Sequence, residues 1–284
     1  LTGAKDGGTA ACIHAGRKCR IDFCRGRAYD RTRDWSRIML TALFADIHGN
    51  REALDACLDH ARAHGAEAYV FLGDYVGYGA DPEWVVGVVR DFVEQGAIAV
   101  VGNHDRAVSD PSQPMNRDAE TAIAWTREQL SVGAAEFLAR LPMTVEDGPR
   151  LYVHGDASAP ARFHYVTDSD VARRSLQATH AQTTFCGHVH APAIYALSST
   201  EKLTSFQPVP GIAIPLLKQR RWISVLGAVG QPRDGDSAAC YAMFDQRTLE
   251  ITYHRVPYDI ETAAEKIRAA GLPPSLADRL MRGR

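Results

Sequence analysis

Between residues 39 and 105, three short apolar runs each end on a cluster of Gly, Asp, His and Asn side chains. Residues 39–45 lead into Asp46-Ile47-His48-Gly49-Asn50. Residues 68–72 lead into Gly73-Asp74-Tyr75-Val76-Gly77-Tyr78-Gly79, and residues 97–101 into Gly102-Asn103-His104-Asp105. Continuous apolar runs of this length suit buried strands. Between them lie two helical patterns. Over 50–64, Asn50 can cap a helix whose Leu54, Leu58 and Ala61 recur at helical spacing. Over 81–95, Pro82 falls in the first turn. A βαβαβ order requires parallel strands joined by right-handed crossovers. The three polar clusters then emerge at one edge of one sheet, where ligands bind in parallel α/β proteins.

Two more clusters follow strand-like segments: His154-Gly155-Asp156 and Gly187-His188-Val189-His190. Each cluster alone says little, since Asp-x-His arises by chance and Gly-Asp often marks only a turn. Together they hold five of the chain's 11 histidines, which singles them out. His60 and His64 are four apart on a predicted helix but have no carboxylate arranged between them, so they read as solvent-facing. The rest of the chain predicts a helix over 117–140 and another over 169–179. Strands are expected at 151–153, 183–186, 194–197, 221–226, 239–244 and 250–255. Late strands without intervening helices suggest an antiparallel second sheet packed on the first. The stretch 260–284 is helical, with Gly271-Leu272-Pro273-Pro274 as its break.

At 284 residues and 45% hydrophobic, the chain can bury one sizeable domain, with or without appendages. Its mean hydropathy is -0.22, and no apolar run approaches the roughly 18 residues of a membrane span. A cytoplasmic protein without a membrane partner is expected. Residues 1–38 carry nine Lys/Arg and four Asp, a net of +5, which leaves -7 on the remainder. That acidic remainder argues against non-specific nucleic-acid binding, which depends on Lys and Arg. Cys12, Cys19 and Cys24 contain no close CxxC pair, so a metal site there is not favoured. Cys57, Cys186 and Cys240 read as reduced core residues. Residues 1–37 lack periodicity and a secretory h-region, and read as a disordered or non-native leader. The expected organisation is therefore a leader at 1–37, a catalytic domain at 38–258 and a helical tail at 259–284 packed on it. Oligomeric state has no signature in the sequence.

Taken in order, the five clusters resemble the calcineurin-like metallophosphoesterase superfamily, whose pattern runs DxH, GDxxxxG, GNHD/E, a lone His, then GHxH. The likeness spans about residues 39–258. Within it, Leu72-Gly-Asp-Tyr-Val-Gly-Tyr-Gly-Ala-Asp-Pro82, the Gly230–Asp236 stretch and Val256-Pro-Tyr-Asp259 are similar to a bacterial and archaeal subgroup. The resemblance implies an α/β fold, a four-layer α/β/β/α sandwich of two mixed sheets flanked by helices. It implies that Asp46, His48 and His190 hold one metal, that Asn103, His154 and His188 hold a second, and that Asp74 bridges both. A bridging carboxylate suits metals roughly 3.5–4 Å apart. His188 and His190, two apart in an extended segment, face one side. The nitrogen and oxygen ligand set admits two divalent ions of Mn, Fe, Zn, Co or Ni, with Mn favoured. By the same likeness a metal-bridging hydroxide attacks phosphorus, His104 is the general acid, and Asp105 orients its imidazole.

Some positions depart from the family's pattern. Protein Ser/Thr phosphatases typically read GDxVDRG and GNHE; here Gly77-Tyr78 stands for the Asp-Arg pair and Asp105 for Glu. Val189, Asp156 and residues 225–228 also differ from the commoner residues. The missing arginine removes a bidentate phosphate clamp. Arg106 and Arg233 are candidate substitutes, the alternative for Arg233 being an ion pair with Asp234 or Asp236. Tyr75 and Tyr78 either stack on a nucleobase or pack over loop glycines. The favoured substrate is a small phosphodiester or nucleotide-like phosphate ester. The alternatives are a phosphomonoesterase, including a phosphoprotein phosphatase, and a non-catalytic scaffold on the same fold.

Overall fold

The computed structural model describes residues 40–284. The leader and its three cysteines lie outside the described residues. The first sheet begins with parallel β1 (Leu40–Phe44), β2 (Ala68–Phe71) and β3 (Ile98–Ala99). Between them run α1 (Arg51–Ala63) and α2 (Pro82–Glu94). Asn50 caps α1 by accepting the Ala53 N–H at 3.1 Å. β1 is buried on both faces, as a central parallel strand must be. Ala42 and Phe44 pack with Leu54, Leu58, Val85 and Val89 under the helices. Leu43 and Ala45 face the second sheet.

The chain then makes α3 (Asn103–Ser109), α4 (Arg117–Gln129) and α5 (Val132–Arg140). The single helix expected over 117–140 is two. Leu130 turns extended, and Ser131 starts a new helix by accepting the Ala134 N–H. Glu83 of α2 holds the break open by accepting both the N–H and the hydroxyl of Ser131.

The second sheet has the order β4 (Thr144–Asp147), β5 (Arg150–Val153), β6 (Thr183–Cys186), β10 (Arg220–Val225), β7 (Ala193–Ser198), β8 (Leu203–Phe206). It is mixed, which corrects the expected antiparallel sheet: β5, β6 and β10 run parallel. The helix α6 (Ser169–Gln177) carries the chain back between β5 and β6. The β7–β8 hairpin does the same between β6 and β10. The last strands do not join this sheet either. β11 (Ala239–Asp245) pairs antiparallel with β1, followed by β12 (Glu250–Val256) and the short β9 (Ala213–Pro215).

Phe185, Ile194 and Trp222 meet Leu43, Val70 and Phe244 between the sheets. Ala172 and Leu176 of α6 cover the outer face of the second sheet. The layers are thus helix, sheet, sheet, helix, the α/β/β/α sandwich of two mixed sheets. After β12, α7 (Ile260–Ala269) and α8 (Pro274–Arg282) pack Ile267, Leu276 and Leu280 against Tyr78, Ala119 and Ala122. Lys266 of α7 bridges Glu52 and Asp81 at 2.5 and 2.7 Å. Cys57, Cys186 and Cys240 are buried thiols. Among the described residues no helix is long and apolar enough to cross a membrane.

Candidate active site

All six parallel strands end at the same place. Asp46 follows β1, Asp74 follows β2, Asn103 follows β3, His154 follows β5, His188 follows β6, and the loop holding Gly230 to Arg233 follows β10. β1 and β6 belong to different sheets, so motifs 142 residues apart meet because the two sheets pack face to face and bring their strand ends together. The His188 N–H reaches both oxygens of Asp46 at 3.1 and 2.9 Å.

Two groups of ligand atoms form there: Asp46, His48, Asp74 and His190, and Asp74, His154 and His188. Within each group the atoms lie within 4.8 Å of one another. His48 donates Nδ1–H to the Val76 carbonyl at 3.0 Å, and His190 donates Nδ1–H to the Gln231 carbonyl at 2.7 Å. These bonds fix the tautomers and leave both Nε2 atoms as lone pairs, yet the two atoms face each other at 3.1 Å. Burial drives both imidazoles well below their ordinary pKa, so neither is charged near neutral pH. Asp46 Oδ1 lies 3.4 Å from His190 Nε2, and Asp74 Oδ2 lies 3.7 Å from His48 Nε2. Four ligand atoms converge there, two imidazole nitrogens and two carboxylate oxygens, an arrangement that a cation satisfies.

The second group is built the same way. His154 donates Nδ1–H to the Leu72 carbonyl at 2.6 Å and turns Nε2 inward. That nitrogen lies 3.1 Å from His188 Nδ1, 3.2 Å from Asn103 Oδ1 and 3.3 Å from Asp74 Oδ2. Burial alone would lower His154, but Asp74 and Asp46 raise it to about 9. Without metal it holds a proton where a cation would sit, and metal binding would release that proton. Burial and Asp74 push Asp46 up to about 7 against the pull of His154. Burial also acts to raise Asp74, but the surrounding His154, His104 and His48 hold it well below its ordinary value. Asp74 is thus the carboxylate that faces both groups, and the nitrogen and oxygen set fits two divalent ions.

The loops carrying these ligands are strained. Seven of the nine described non-glycine residues with positive φ are here: Asp46, His48, Asp74, Tyr78, Phe163, His188 and His190. Asp105 holds two of the loops together. Its Oδ2 accepts from Asp74 N–H at 2.7 Å and Gly102 N–H at 2.9 Å. Its Oδ1 accepts from Tyr75 N–H at 2.8 Å and Val76 N–H at 3.3 Å. The expectation that Asp105 orients His104 is therefore corrected: both oxygens are occupied by backbone amides. Burial pushes Asp105 up to about 7, but four donors facing one acceptor favour its ionised form. At Gly102 only hydrogen fits, because a Cβ would collide with the Asp74 backbone nitrogen and its carboxylate.

His104 lies at the start of α3, its ring 4.8 Å from that of His48 and 4.5 Å from that of Tyr78. Its Nδ1 is buried with no hydrogen-bond partner. Burial brings its pKa down to about 4, opposed by Asp74. Its backbone N–H donates to Asp74 Oδ1 at 2.8 Å.

The two candidate clamps separate. Arg106 pairs with Asp110 along α3 at 3.6 Å, which removes it as a substitute for the missing arginine. Arg233 stands over the Tyr78 ring at 5.6 Å and donates to Gln231 Oε1 at 2.9 Å. Its alternative partners are taken, since Asp234 and Asp236 both pair with Arg255. The Arg233 Nε is buried without a partner, and its charge reaches Asp46, His48, His104 and His190. Tyr75 is a core residue whose hydroxyl donates to the Val100 carbonyl at 2.6 Å, with the Phe71 carbonyl 3.0 Å away. Tyr78 is packed, 4% exposed, between His48, His104 and the tail helices. Base stacking is excluded for Tyr75, and for Tyr78 the packing alternative holds.

Tyr165 is the residue that the motifs did not point to. It follows a 3-10 turn at Pro160–Arg162 and stacks on the His188 ring at 3.9 Å and 12°. It borders two cavities. One, of about 240 Å³, is lined by His104, Asn103, Tyr78 and Met115; the other, of about 550 Å³, by His188, Phe163, Arg162 and Gln113.

Comparison with known proteins places this geometry. The calcineurin-like phosphoesterase superfamily domain matches residues 39–248. The uncharacterized protein MJ0912 of Methanocaldococcus jannaschii is 32% identical over 251 residues, 86% of this chain and 98% of that protein. A metallophosphoesterase from Sphaerobacter thermophilus has a crystal structure similar to this one, with a TM-score of 0.77 and 34% identity, covering 87% of this chain and 100% of that one. The hypothetical protein PH1004 from Pyrococcus horikoshii OT3 shares the fold, with a TM-score of 0.68 at 19% identity over 86% of this chain and 98% of its own. With two sheets that bring Asp and His side chains to one buried centre, and with a match over most of its length, this chain belongs to the calcineurin-like phosphoesterase superfamily.

Proposed function

We propose that this protein hydrolyses phosphate esters at a two-metal centre and favours phosphodiester or nucleotide-like substrates. The observation that carries the proposal is the pair of buried ligand groups sharing Asp74. Asp46, His48 and His190 would hold one divalent ion, Asn103, His154 and His188 the other, and Asp74 both, with manganese favoured. Such ions, when bound, neutralise charge on phosphoryl oxygens and make water nucleophilic near neutral pH.

The protein's own side chains supply the rest. Arg233, with its flanking acids taken by Arg255, is free to donate to a phosphoryl oxygen. Hydrolysis forms a phosphorus–oxygen bond from water, breaks the bond to the leaving oxygen, and needs a proton on that oxygen. His104 would give it. Its ring is neutral in the free protein, and the negative charge of a bound phosphate favours the imidazolium. Asp105 acts on position, tying the Asp74 loop to the start of α3.

The absence of the Asp-Arg pair at Gly77-Tyr78 weighs against phosphoprotein substrates and toward esters with two organic arms. Turnover of bis-p-nitrophenyl phosphate against p-nitrophenyl phosphate, with manganese added, tests this. The expected result is a higher kcat/KM on the diester. A preference for the monoester would overturn the diester reading, and a purified protein that takes up no metal would favour a non-catalytic scaffold.

A further inference from the structure

Tyr165 divides the cleft. On one side is the cavity of about 240 Å³ that holds His104, and on the other the cavity of about 550 Å³ bordered by His188. Asn103, Pro114 and Tyr165 line both, so the two lobes adjoin at the ligand Asn103. Tyr165 is 50% exposed although it borders both lobes. His188 covers one ring face by stacking, and half of the residue stays open to solvent. The neighbouring Phe163 is held in the left-handed region with φ 49, which fixes the loop that presents the ring.

We propose that the two lobes receive the two arms of a phosphodiester, and that the retained arm is a nucleoside whose base stacks on Tyr165. This rests on the phosphoesterase reading above. The leaving arm belongs in the small lobe, because that is where the proton donor His104 lies. The larger lobe falls within the roughly 300–1,000 Å³ typical of small-molecule sites, and the smaller lobe falls below it. The bulky planar arm therefore fits the larger one. Phe163, Pro114 and Tyr165 give it apolar walls, and Arg162 and Gln113 give donors for the polar edge of a base. A monoester would fill one lobe and leave the other to water.

Two diesters with the same leaving group test the assignment: thymidine 5′-(p-nitrophenyl phosphate) and methyl p-nitrophenyl phosphate, with the manganese-loaded protein. The wild type should show a KM for the thymidine ester lower by about tenfold or more, since stacking of a base on an aromatic ring is of that size. In Tyr165→Ala the ratio of the two KM values should collapse toward one, and in Tyr165→Phe it should persist. The ratio cancels any loss common to both esters, such as disturbed metal binding at His188. Equal KM values in the wild type, or a ratio unchanged in Tyr165→Ala, would overturn the subsite. If neither ester is turned over, calorimetric binding of thymidine 5′-monophosphate and methyl phosphate decides. Preferential, Tyr165-dependent binding of the nucleotide keeps the subsite and removes the hydrolytic reading. Equal or absent binding removes the subsite as well.

Discussion

Asp46, His48, Asp74, His154, His188 and His190 are each at most 5% exposed, whereas Tyr165, which touches the same centre, is 50% exposed. The first group is held by backbone. Five of the six have positive φ angles, His154 is tied to the Leu72 carbonyl, and the Asp74 loop is fixed by a glycine with no space for a Cβ and by a carboxylate receiving four amide hydrogens. The loop at 161–165 is held at one buried anchor, Phe163, and offers its other side chains to solvent. Rigid, dry ligands suit an ion, whose binding geometry is fixed. Half-exposed side chains suit an organic arm, which must enter and leave.

The sharpest way to break this contrast is at the residue both ligand groups share. Asp74→Asn removes the charge that faces His48 and His154 and that holds His154 protonated without metal. Activity should fall by about a thousandfold or more, the scale of losing preorganised charge stabilisation at a reacting phosphoryl group. Metal content measured by mass spectrometry should drop by at least one ion per chain. Full metal content with full activity would remove Asp74 from the bridging role.

Asp105→Asn tests whether the rigidity is built by the protein rather than by the metals. An amide places N–H donors against N–H donors, and at least one buried backbone amide loses its acceptor. The expected destabilisation is about 2–4 kcal/mol, a fall in Tm of about 5–15 °C, present in metal-free protein as well. A loss of stability seen only with metal bound would mean that the loops take their shape from the ions.

His104→Ala separates ligand from proton donor. Both ions should remain, and kcat on an alkyl leaving group should fall by about a hundredfold. With p-nitrophenolate, which leaves without protonation, the loss should be much smaller. Equal losses on both would assign His104 to the metal shell instead.

The buried half of the centre was legible in the sequence and the exposed half was not, for a physical reason. Each candidate ligand lies within four residues of a strand end or starts the helix after one, so a short local motif records it. Tyr165 sits in a loop with no period and no motif, and its importance depends on His188, 23 residues away. The fold divides similarly. The βαβαβ half follows from local patterns, and Asn50, Pro82 and the break at Gly271 fall at their helix boundaries. The return of β11 to β1 has no local signal, because which edge a strand joins is settled by the whole sandwich. The short edge strands β8 and β9 and the seven-residue α3 were too brief to show a period. Asp105 was expected to orient His104 as carboxylates commonly orient imidazoles, whereas the helix start turns its carboxylate toward the backbone of the preceding loop.

Arg233 lies between the two regimes, and the smallest expected effect concerns it. In sequence, Asp234 and Asp236 are its nearest counter-charges, yet neither pairs with it, because Arg255 from β12 takes both. Arg255 is itself anchored by donating to the Ala238 carbonyl at 3.1 Å. The loop is pinned further by the Gly235 N–H donating to the Gly283 carbonyl at 2.8 Å, after α8. Arg255→Met should therefore release two carboxylates beside Arg233 and draw its guanidinium away from the centre. KM for a phosphodiester should rise by about three- to tenfold with little change in kcat, since partly exposed ion pairs are worth little more than that. Adding Asp234→Asn and Asp236→Asn to Arg255→Met should restore the KM, because the competing charges are then gone. A triple variant as weak as the single one would mean that Arg255 supports the loop by packing alone, and that Arg233 owes its freedom to the tail.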